Sequence, residues 1–153
     1  EQKGREKAGP LTDATRRMTT RDAGTIKKEK SMKRLDSCIS VYPAFQIKPG
    51  KETAIRDLLR VIIERAEDEP ATEIFSMSYA GSKLFLRESY TDIKGFKAHL
   101  ESVSDIINDF FGMLELETLH VIAPEESVNE MQELMSSMNM KADLFILEGG
   151  FAK

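Results

Sequence analysis

Tryptophan is absent from this chain of 153 residues, cysteine occurs once and histidine twice. The single cysteine, Cys38, excludes an intrachain disulfide and points to reducing surroundings, the cytoplasm or the interior of an organelle. His99 and His120 show no metal-ligand spacing with it, so no metal and no other cofactor is expected. Apolar runs are short, none near the ~20 residues needed to cross a bilayer, so no membrane partner is expected. A phosphate-binding glycine loop and the elbow of a serine nucleophile are also missing.

What is present is divided unevenly along the chain. Residues 1–36 carry eleven Lys/Arg against six Asp/Glu and few large apolar side chains, whereas residues 37–153 carry twenty Asp/Glu against eleven Lys/Arg. The first segment has too little apolar surface to offset chain entropy, and it reads as a mobile basic tail. It could be a plain extension, a targeting or assembly segment, or an arm for an anionic surface. It lacks the aromatic residues that stack on bases, and the body is acidic, so nucleic acid is not an expected partner.

The body, 37–153, has enough apolar residues for one core. Cys38 to Lys48 alternates Ile39, Val41, Pro43, Phe45 and Ile47 with Ser40, Tyr42, Ala44 and Gln46, the pattern of a strand. Pro43 has no N–H to give, which places this strand at an edge or a bulge there. After Pro49-Gly50, apolar residues at helical spacing from Ala54 to Ala66 predict an amphipathic helix that stops before Pro70. Two strands joined through Gly81-Ser82 predict a tight hairpin with Phe75, Met77, Tyr79, Leu84, Leu86 and Glu88 on one face. Asp92 caps a helix bearing Ile93, Phe96, Leu100 and Val103, and a short helical run, SDIINDFFGM, follows. LELETLHVI is a further strand, a helix with a methionine stripe comes next, and DLFILEGGF reads as a last, largely buried strand.

The order is α+β, a ferredoxin-like β-α-β-β-α-β unit with an added C-terminal helix and strand. Such a sheet covers one face with its helices, so the other calls for a second copy, closing a barrel-like homodimer around an enclosed space. This order, the EDEP before the second strand, the FLRESY strand and the DIKGFKAHLES helix resemble the antibiotic-biosynthesis monooxygenase (ABM) domain of the dimeric α+β barrel superfamily. The resemblance covers about residues 38 to 123, and His120 to Phe151 resembles a C-terminal extension of one group of such proteins. It implies a homodimer and, in catalytic members, oxygenation of electron-rich aromatics without metal or flavin. A haem-degrading branch needs Asn, Trp and His around the porphyrin. Here His99 stands at the tryptophan position and Asp109 at the histidine position, which argues against that branch.

Cofactor-free oxygenation requires a base for a phenolic proton and a fixed positive charge for the resulting anion. His99 or His120 could be the base and Arg87 the anion holder, with Tyr42, Ser76, Ser78 and Phe85 lining a substrate space between the two sheets of a dimer. Each has a structural reading as well. Arg87 could pair with Glu148, His99 could lie at the edge of a packed helix face, and His120 could be an ordinary strand residue. Two functions fit: a cofactor-independent monooxygenase acting on a phenol, quinol or related aromatic, and a non-catalytic dimeric ligand-binding or assembly module.

Overall fold

The computed structural model describes residues 34–151, so the basic segment and the roles considered for it fall almost wholly outside the described residues. The elements are β1 (Arg34–Leu35), β2 (Ile39–Ile47), α1 (Glu52–Glu67), β3 (Thr72–Ala80), β4 (Lys83–Tyr90), α2 (Ile93–Ser102), α3 (Ile107–Gly112), β5 (Leu114–Ala123), α4 (Glu125–Ser137), β6 (Asp143–Ile146) and β7 (Gly150–Phe151). Five strands form one sheet in the order β3-β4-β2-β5-β6. The β2–β5 portion is the antiparallel ferredoxin-like unit, and β6 joins its edge in parallel with β5. Regular pairing begins ahead of residue 37, because β1 runs parallel with β7 in a small separate ladder.

The alternation in β2 decides which way the sheet faces. Ile39, Val41, Phe45 and Ile47 are buried under the helices, while Ser40, Tyr42, Ala44 and Gln46 lie between them on the open side. Pro43 sits in the central strand, not at an edge, and a register shift between Ala44 and Phe45 follows it. The bulge lets a residue without an N–H stand inside a sheet. In the hairpin, Ala80 pairs with Lys83 and Gly81 takes φ +63°, a left-handed conformation that costs glycine little.

The helices cover one face in two groups. Ile55, Leu59 and Ile62 of α1 with Phe110 of α3 pack on Phe45, Leu84 and Leu86, while Ile93 and Phe96 of α2 with Met131 and Met135 of α4 pack on Ile39, Val41 and Val121. Full burial of side chains this size stabilises by roughly 1.5–3 kcal/mol each. The Asp92 carboxylate accepts from the Gly95 N–H at 2.8 Å, fixing where α2 begins. Gly95 has no room for a side chain, since a Cβ there would lie 2.6 Å from the Ala71 Cβ.

The C-terminal strand departs from the expectation of burial. β6 is a short outer strand with Phe145 and Ile146 about half exposed (50% and 52%). It lies beyond β5 with no further strand outside it among the described residues and with α4 over one face, which leaves its other face open among them.

Candidate functional site

A cavity of about 70 Å³ lies where the two core groups meet, between the sheet and the helices. Its wall is apolar, with Val41 and Leu86 from the sheet and Phe96, Phe110 and Met135 from the helices, except at Glu88 and His99. An outer cleft of about 700 Å³ shares Ile107, Phe111, Leu119, Met138 and Met140 with it. A benzene ring occupies a cavity of about 150 Å³, so a single-ring ligand requires the wall to give. Met135, Met138 and Met140 are unbranched and adapt at low cost.

His99 is delivered to this wall by α2, which buries it to 5% exposure between the rings of Phe75 and Tyr90. Its Nδ1 lies 3.0 and 3.2 Å from the two carboxylate oxygens of Glu69, in the turn before β3. Burial works to raise the Glu69 pKa, but hydrogen bonds from Thr72 and Ser102 and the interaction with His99 outweigh it and hold the carboxyl below its usual range. The Thr72 hydroxyl donates to Oε2 at 2.6 Å. An ionised carboxylate can only accept, so Nδ1 carries the proton of this bond and Nε2 is left with a lone pair. Burial lowers the His99 pKa more than Glu69 raises it, which keeps the ring neutral at pH 7. The result is a neutral imidazole, oriented by a carboxylate and able to take a proton at Nε2.

Glu88 lies on the same face of the sheet, 8% exposed, where its Oε2 accepts the Tyr90 hydroxyl at 2.7 Å. Desolvation, reinforced by the Glu69 charge and only partly offset by the Tyr90 hydrogen bond, pushes its carboxyl up to about 7. Burial, the Glu88 charge and the hydrogen bond it receives raise the Tyr90 hydroxyl well above its normal value, so it stays protonated and donates.

The other candidates from the sequence are on the opposite side of the sheet. Phe85 and Arg87 alternate with the buried Leu84, Leu86 and Glu88, and Ser76 and Ser78 pair with them across the hairpin. Tyr42 stacks with Phe85 at 6.3 Å between ring centroids. His120 pairs with Tyr42 across β2 and β5, is half-buried, contacts the Phe145 ring and lies 3.7 Å from Asp143. The chain thus separates His99 from Arg87, because successive strand residues point to opposite faces. Arg87 forms no ion pair with Glu148 among the described residues.

Glu69 and Glu88 were not singled out by sequence reasoning as site residues. The signal for Glu88 was a charge at an apolar strand position between Leu86 and Tyr90; that for Glu69 was its place in EDEP, which says nothing of a helix thirty residues on. The methionine stripe, read as packing, does pack through Met131 and Met135, and it also supplies part of the cavity wall.

No protein-family model matches the sequence, and no curated protein does. Solved structures do match. MupZ from Pseudomonas fluorescens superimposes with a TM-score of 0.69 over 77% of this chain and 96% of its own, at 23% identity. Rv0793 from Mycobacterium tuberculosis gives 0.53 over 57% and 95%, at 21% identity. A candidate antibiotic biosynthesis monooxygenase from Chloroflexus aurantiacus gives 0.50 over 57% and 93%, at 20% identity. At these identities the likeness is one of fold. On that likeness the chain shares the ferredoxin-like α+β fold of these proteins, the fold expected from its element order.

Proposed function

We propose that this ABM-like domain is a cofactor-independent monooxygenase that oxidises a small phenol or quinol in the cavity between sheet and helices. The observation that carries this reading is His99 at the cavity wall, a buried neutral base oriented by the Glu69 carboxylate behind it. The phenolic O–H gives its proton to His99 Nε2, and the Glu69 carboxylate stabilises the imidazolium that forms. The phenolate is then electron-rich enough to reduce oxygen. One oxygen atom bonds to the ring and the other leaves as water, so phenol and O₂ become quinone and H₂O.

Arg87 and His120 take no proton in this scheme. They belong to the open face, which carries Tyr42, the exposed Phe85 and, at its two ends, Ile74 and Phe145. An apolar surface of this kind supports closure by a second copy of the chain, and any role for Arg87 lies in that enclosed space.

Oxygen uptake by the purified protein with a panel of hydroquinones tests the reaction. Uptake that falls a hundredfold or more in folded His99→Ala is the expected result. Ligand binding without uptake would establish the non-catalytic ligand-binding module instead.

A further inference from the structure

We propose that Glu88 is a charge filter for the cavity, admitting uncharged phenolic rings and repelling aromatic carboxylates. This rests on the cavity being the ligand site proposed above, but not on its being catalytic. Glu88 and His99 are the polar residues of the wall, and neither offers a positive charge to an anion. The Glu88 carboxyl is held in place by the Tyr90 hydroxyl at 2.7 Å and cannot swing out to solvent without losing that bond. Behind His99 stands a second carboxylate, Glu69. Among the described residues no lysine or arginine lines this cavity, and the outer cleft contributes only Lys141.

The neighbours of Glu88 reinforce its sign. Val41 from β2 and Phe75 from β3 are its cross-strand partners and carry no charge. His99 from α2 is neutral, Tyr90 on its own strand is protonated, and Glu69 adds negative charge. A carboxylate ligand would therefore be desolvated against like charge, with no counter-ion to offset the loss. A phenol of the same shape brings a neutral donor that either Glu88 or His99 Nε2 can accept. With a carboxyl near 7, Glu88 is mostly ionised at pH 8 and mostly protonated at pH 6, and in the latter state it could itself donate to an anion.

The test is calorimetric titration of the full chain with 4-methylphenol and 4-methylbenzoate. At pH 8 the phenol should bind at least about tenfold more tightly, the order expected for a nearby like charge. Glu88→Gln keeps an acceptor for Tyr90 and should reduce that ratio to about threefold or less. Lowering the wild-type protein to pH 6 should do the same without any substitution, which covers the case of a variant that fails to fold. Equal or tighter binding of the carboxylate at pH 8, or a ratio that stays fixed both in Glu88→Gln and at pH 6, would overturn the proposal, as would a failure of both probes to bind. Binding of 4-methylphenol with the expected ratio but no oxygen uptake from hydroquinones would leave the filter standing and remove the oxygenase.

Discussion

The Nδ1 of His99 on α2 lies 3.0 Å from Glu69 Oε2, and this bond ties the helix to the turn that leads into β3. Both partners are nearly sealed from water, so neither can be removed without leaving the other short of a partner. Glu69→Ala should destabilise the domain by roughly 1–3 kcal/mol, the cost of orphaning a buried polar group, measured by urea unfolding. It should also reduce oxygen uptake, because the imidazolium loses its counter-charge.

His99→Ala separates the two roles of this histidine. As the base its loss should reduce turnover by ~10²–10⁴, with the fold intact. An unchanged rate would make His99 a helix-face residue whose work is packing against Phe75 and Tyr90.

The pH dependence of stability should run in two directions. Glu88 has a folded-state carboxyl raised to about 7 from an ordinary 4.5, so its contribution is fully present below about 4.5 and is lost as pH rises through 7. The full shift corresponds to about 3 kcal/mol as an upper bound. His99 is lowered, so its neutral form contributes above 6.5 and that contribution is lost as pH falls. Glu69, also lowered, contributes above its ordinary 4.5 and loses that contribution as pH falls below it. The melting temperature of Glu88→Gln minus that of the unaltered protein should therefore grow between pH 5 and pH 8; a flat difference would show that Glu88 titrates normally.

Gly95→Ala should destabilise in spite of the better helix former, which favours alanine by about 1 kcal/mol. The new Cβ meets the Ala71 Cβ at 2.6 Å and the Ala71 carbonyl oxygen at 3.2 Å, and backbone cannot yield cheaply. A net loss of about 1–3 kcal/mol is expected, with partial recovery in the double variant that also carries Ala71→Gly. Denaturant unfolding of the two variants measures both.

Phe85→Glu addresses the open face. Phe85 is 43% exposed and stacked on Tyr42, and a carboxylate there should prevent a second sheet from closing over it. Sedimentation at micromolar concentration should show a dimer for the unaltered protein and a monomer for the variant, with the melting profile of the variant depending less on concentration.

Local chemistry along the chain determined the elements and their order. The two-residue alternation of β2 and of the hairpin, the helical spacing from Ile55 to Ala66, the Asp92 cap and the Gly81-Ser82 turn all depend on near neighbours, so they could be read from residues a few positions apart. The resemblance to ABM domains followed from that order. Local pattern failed where the outcome depends on what lies beyond: Leu144 to Ile146 has the composition of a buried strand, yet Phe145 and Ile146 are exposed at an edge that no further strand flanks among the described residues. The site was decided by tertiary structure alone. Strand parity could assign Glu88 and Arg87 to opposite faces, but it could not say that a cavity opens on the helix-covered side, where two groups of packed side chains meet without filling the seam. Nor could it bring Glu69 to His99 across thirty residues, since that contact exists only when α2 lies against the sheet beside the turn before β3. Burial then shifts the pKa values of Glu88 and His99, because the charged form of each loses water that sequence neighbours neither supply nor remove.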